Sequence, residues 1–122
     1  MYAKIMLGDK EVELAANAAT PHHFRNMFHK DPMKEFNAIF EEKLDQMEAI
    51  DTISQVAFIM NMSARKMNIA NLTEEDYIAW LEGFETYDFL TSTQKIVGVY
   101  LGNKQMLSDQ KKEEGQQTGR TQ

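Results

Sequence analysis

Three histidines crowd one short stretch, "TPHHFRNMFHKDP", with Asp31 two residues beyond the last of them. Imidazoles and carboxylates bind metals and move protons near neutral pH, so chemistry is sought here first. The spacing argues against it. His22 and His23 are adjacent, and on a helix adjacent side chains point about 100° apart, so the two do not share an ion. Neither HExxH nor CxxC spacing occurs. The chain has no cysteine, which removes disulfides, thiol nucleophiles and thiolate metal sites. Glu41-Glu42 and Glu74-Glu75-Asp76 hold the groups that acid–base catalysis needs. They fall on a solvated helix face or in a first helical turn, where carboxylates complement the helix dipole. No glycine-rich phosphate loop is present. The expectation is no catalytic residue, no cofactor and no metal: not an enzyme, with His22, His23 and His29 on the surface or at helix caps.

Bulk composition narrows the class further. The chain has 122 residues, 43% hydrophobic and 26% charged, which suits one globular domain with a modest core. A net charge of -6 argues against a duplex nucleic-acid partner, which needs a cationic footprint. No run approaches the roughly 18 apolar residues of a membrane span, and the charged opening "MYAKIMLGDKEVEL" does not read as a signal peptide. Methionine is the outlier, with nine residues. Its flexible, polarizable side chain fills cores and also lines adaptable binding surfaces.

The elements that would carry these residues follow from periodicity. Alternation over 2–14 predicts a β-hairpin, with Ala3, Ile5 and Leu7 on one side and Val12 and Leu14 opposite, about a Gly8-Asp9 turn whose loop is two or four residues long. Thr20 before Pro21 starts a helix at about 21–29, and Asp31-Pro32 starts another at about 32–48. Met33, Phe36, Phe40, Leu44 and Met47 form the buried stripe of that second helix. Asp51 or Thr52 caps a third at about 52–69. Thr73 and Asp76 form a capping box for a fourth at about 74–87, whose inward stripe is Tyr77, Trp80, Leu81 and Phe84. The segment "KIVGVYL" is β-branched enough for a strand, but a helix over about 91–107 is preferred, with Gly98 admitting a close crossing. Residues 108–122 have no aliphatic or aromatic side chain and read as a disordered polar tail. The expected fold is mainly α: an N-terminal hairpin, a four- or five-helix domain over 1–107, and the tail.

The third helix has more apolar side chains than one face can use. At 100° steps, Ile53, Val56, Ala57, Met60, Ala64 and Met67 share one sector. Phe58, Met62 and Ile69 lie nearly opposite. Either the helix is sandwiched, or the second face is offered to a partner. The candidate protein-binding residues are therefore Phe58, Met62 and Ile69, followed by Met27 and Phe28. Burial of Met62 separates the two readings.

The layout resembles a known family. The hairpin "KIMLGDKEVEL", the stretch "AATPHHFRNMFHKDPMKEF" with Phe24, Arg25, Phe28 and Asp31, and the helix "EEDYIAWLEGF" look like the tail assembly chaperones of long-tailed (siphovirus-type) bacteriophages and prophages. The resemblance implies a protein without catalytic residues that binds the tape-measure protein, keeps it soluble and helps recruit tail-tube subunits. It would act in the host cytoplasm and not remain in the mature virion. It implies self-association and a longer, frameshifted product as well. The alternative is a small adaptor or regulator binding one defined partner; a third option is a subunit retained in the particle. If the chaperone reading holds, the gene should carry an A-rich slippery heptamer at the Lys111-Lys112 codons with an overlapping downstream frame. Nucleotide sequence without slippery codons there removes the longer product.

Overall fold

The computed structural model describes residues 1–103 and 105–107. The polar tail expected at 108–122, with Lys111 and Lys112, lies outside the described residues. The chain is mainly helical behind an N-terminal hairpin, as its periodicity predicts. Strands β1 (Tyr2–Leu7) and β2 (Lys10–Ala15) pair antiparallel, with Leu7 opposite Lys10, so the loop is the two residues Gly8 and Asp9. Gly8 has φ +66°, which its missing side chain permits. A Cβ there would sit 2.7 Å from the Asp88 carboxylate, so the turn also seats against the helical body. Ile5, Leu7, Val12 and Leu14 form the buried face. Backbone bonds between Met1 and Ala16 extend the ladder past the strand ends.

Six helical segments follow: α1 (Thr20–Phe28), α2 (Pro32–Phe40), α3 (Gln46–Ala64), α4 (Glu74–Leu81), α5 (Asp88–Thr91) and α6 (Thr93–Leu101). A single 3₁₀ turn, Ile69–Asn71, joins α3 to α4. Two start signals act as expected. Asp31 accepts from the Met33 N–H ahead of Pro32, and Thr73 and Asp76 form the predicted capping box. Thr20 does not cap α1: it is the first helical residue, and its hydroxyl accepts the N–H of Asn17 instead. The preferred helical reading of "KIVGVYL" is right, since this segment lies in α6, but the helix expected over 91–107 runs only from Thr93 to Leu101, where Gly102 at φ +67° closes it. A Cβ on Gly98 would come within 2.9 Å of Leu107, so the glycine admits the chain returning just after the helix.

The middle of the chain departs from the expected boundaries. The helix predicted over 32–48 is two helices. It stops at Phe40, and Asp45 with Glu48 forms a complete capping box that starts α3 six residues before the expected Thr52. The stripe from Met33 to Met47 is broken accordingly. Phe36 is core, whereas Met33, Phe40 and Met47 are exposed. The third helix also ends early, at Ala64, so Ile69 belongs to the 3₁₀ turn and Met67, expected in the core, is exposed. The fourth helix ends at Leu81 rather than near residue 87.

Both early stops share one device. After α2 the Glu42 N–H bonds Ile39 and the Lys43 N–H bonds Ala38; after α3 the Lys66 N–H bonds Ser63 and the Met67 N–H bonds Met62. Each pair is a Schellman closure, which needs a left-handed residue. Glu42 (φ 59°) and Lys66 (φ 60°) fill that place, where glycine is usual. Non-glycine residues are strained there by about 1 kcal/mol. Glu42→Gly should therefore stabilise the protein by roughly 0.5–1 kcal/mol in urea denaturation. Were residues 32–48 one helix, the same change would cost about 1 kcal/mol.

Helix α3 is the centre of the domain. Every residue from Val56 to Met62 is buried, which encloses the helix all round. The hairpin, α1, α2, α4, α5 and α6 surround it. Its buried polar side chains bond outward in different directions. Thr52 accepts from Lys30 (3.1 Å) and donates to Glu35 (3.2 Å). Ser54 bonds the Tyr77 hydroxyl (2.6 Å). Asn61 donates to the Glu13 carbonyl of β2 (2.8 Å) and accepts from the Trp80 indole (3.0 Å). Gln55 is the exception, with Oε1 buried and unpartnered among the described residues.

Candidate functional site

The residues proposed from sequence fall into two groups. Phe58 and Met62 are 1% and 3% exposed and belong to the core, so they are not an open docking face. The sandwiched-helix reading is the correct one. What covers Phe58 is a chain of aromatic rings. Phe58 meets Tyr77 and Trp80, each at 5.4 Å between centroids, and Trp80 meets Phe84 at 4.8 Å and Phe89 at 5.7 Å. Phe28 joins this chain from α1 through Tyr77, at 5.1 Å, and is half-buried against the core. Burial, aided by the charges of Asp51 and Glu74 and opposed by the Ser54 hydrogen bond, pushes the Tyr77 hydroxyl up to about 12. Tyr77 is thus neutral at any physiological pH and serves as a packing and hydrogen-bonding residue.

Met27 and Ile69 do come together. They line a groove of about 200 Å³ between α1 and the 3₁₀ turn, with His22, His23, Asn26, Ala70 and Leu72. His22 is hydrogen-bonded to Asn26 (3.0 Å), and the His22 and His23 rings meet edge to face at 5.9 Å. His29 takes the left-handed position that closes α1. No group of three His, Asp or Glu side chains is placed to hold a metal among the described residues. The acidic pairs have structural work: Asp76 completes the α4 cap, and Glu41 pairs with Lys43 at 3.0 Å.

A second groove was missed from sequence. It lies between the first half of α3 and the segment from Leu81 to Phe89, and holds about 200 Å³. Ile50, Leu81, Phe84 and Phe89 contribute apolar surface, Asp51, Ser54 and Glu85 contribute polar groups, and Met47 stands at the edge, 57% exposed. On the outer face of α4, Glu74, Glu75 and Glu82 surround the half-exposed Ile78. The signal that would have found the groove was the Asp45-x-x-Glu48 spacing. Once α3 starts at Gln46, Met47 leaves the stripe of the preceding helix and turns toward Leu81.

Both grooves combine apolar surface with a few polar side chains. Reversing the expected roles of two methionines tests the assignment. Met62→Asp should unfold the domain or cost more than about 3 kcal/mol, since it removes a core side chain and takes a carboxylate out of water, even with the Arg65 guanidinium 4.0 Å from the Met62 sulfur. Met67→Asp, on an exposed side chain, should stay within about 0.5 kcal/mol of the parent. Thermal denaturation followed by circular dichroism reads both.

No helix among the described residues is long and apolar enough to cross a membrane. No protein-family model matches this chain, and neither a curated protein nor a solved structure shows significant similarity to it.

Proposed function

We propose that this protein is a tail assembly chaperone of a long-tailed bacteriophage or prophage. It binds the tape-measure protein in the bacterial cytoplasm, keeps it in solution, and helps bring tail-tube subunits to it. The residues that carry the resemblance are the hairpin, the "HHFRNMFHKDP" stretch and the "EEDYIAWLEGF" helix. The observation that supports the role best is the pair of apolar grooves, one edged by Met27 and the other by Met47. Methionine-edged grooves adapt to varied apolar helix faces, which a client of many similar segments presents. Each groove is small, so single contacts are weak and many copies act along one client. Such binding is displaced readily when tube subunits polymerise. Self-association and a longer frameshifted form belong to the same reading.

Co-expression tests it. With this protein present, the long helical protein encoded in the same gene cluster should remain in the supernatant after lysis; without it, that protein should sediment. Mass spectrometry of purified virions should not detect the chaperone. A tape measure equally insoluble in both cases overturns the reading and leaves the adaptor alternative.

A further inference from the structure

The acidic composition of the second groove identifies what it receives. We infer that the groove between α3 and the Leu81–Phe89 segment, continued over Ile78 on α4, seats an amphipathic helix of a partner protein whose apolar stripe is flanked by lysine or arginine. This seat stands on geometry and charge; that the helix belongs to the tape-measure protein rests on the chaperone reading above.

Size comes first. About 200 Å³ is below the roughly 300–1,000 Å³ of pockets that enclose small ligands, and suits one or two inserted side chains. The depression over Ile78 is open. Ile78 precedes Leu81 by three residues, about one helical turn, so one lining side chain from each hollow neighbours the other on the surface of α4. A helix offers apolar side chains at that same repeat of three and four.

Charge comes second. The acidic or basic side chains lining the two hollows are all carboxylates: Asp51 and Glu85 in one, Glu74, Glu75 and Glu82 in the other. The ion pairs found among the described residues, Lys4–Glu13 and Lys43–Glu41, involve none of the five. Lys10 approaches from the hairpin, but it donates to the Gly83 carbonyl and lies 5.2 Å over the Phe84 ring, outside the lining. An apolar seat bordered by five carboxylates, which outnumber the nearby Lys10 ammonium, favours a partner that supplies cations at its flanks and repels one with acidic flanks. The His22–Met27 groove lacks this feature, because no carboxylate lines it.

The test uses the full chain, labelled with ¹⁵N, and two synthetic helical peptides of about 18 residues, or five turns. Both carry the same leucine stripe; one is flanked by lysine and the other by glutamate. The lysine peptide should shift the amides of Met47, Ile78, Leu81 and Glu85 and bind at least ~10-fold more tightly at low salt, an advantage that shrinks as salt rises. A double variant, Glu82→Lys with Glu85→Lys, changes two exposed side chains and should keep a dispersed spectrum while reversing the preference. Equal affinity for the two peptides, or shifts confined to the Met27–Ile69 groove, overturns the assignment. Equal peptide affinities with tape-measure solubilisation intact remove this seat and leave the chaperone reading. Selective binding of the lysine peptide in the groove without tape-measure solubilisation removes the chaperone reading and leaves the seat.

Discussion

The structure depends on one helix that has no free face. Seven consecutive buried residues, Val56 to Met62, put apolar side chains on every side of α3, so the rest of the chain must wrap it to remove them from water. Hydrophobic burial alone would let the surrounding elements slide. Three polar side chains on α3 prevent that: Thr52 reaches Lys30 and Glu35 around the α1–α2 junction, Ser54 reaches Tyr77, and Asn61 spans β2 and Trp80. Each is buried, so a shifted neighbour would leave a polar group unpaired at a cost of about 1–3 kcal/mol. These bonds set position where apolar packing sets only adhesion.

Enclosing α3 leaves the remaining accessible apolar surface elsewhere. Phe58 is consumed by the ring chain through Tyr77, Trp80, Phe84 and Phe89, and Met62 is buried in the core. Apolar side chains are left over where elements end: Met27 with Ile69 beside the 3₁₀ turn, and Met47 with Leu81 and Phe84 where α3 begins and α4 stops. The second groove follows from a short helix meeting a long one, since α4 cannot cover the full length of α3; the first opens between α1 and the 3₁₀ turn.

Much of this was readable in advance, and the boundary errors around α2 and α3 share a cause. The hairpin was legible because its alternation and its Gly8-Asp9 turn agree with each other. The α4 start was legible because Thr73 and Asp76 sit three apart ahead of Tyr77. The stops of α2 and α3 were hidden because Glu42 and Lys66 occupy left-handed positions that glycine usually announces. Periodicity ran straight through them. The same misreading placed Met67 and Met47 inside and put Ile69 on the third helix.

By itself the sequence determined the class of protein: mainly helical behind a hairpin, acidic, without cysteine, and with two apolar sectors on the helix containing Phe58 and Met62. Those properties are local or additive, so side-chain order alone carries them. Only the tertiary structure decided that neither apolar sector is spare. That answer depends on whether Tyr77 and Trp80 reach Phe58 across the chain, and on the α2–α3 break that frees Met47. Contacts between residues far apart in sequence have no signature in the spacing of either partner, which is why the candidate surface moved from the face of one helix to the junctions between several.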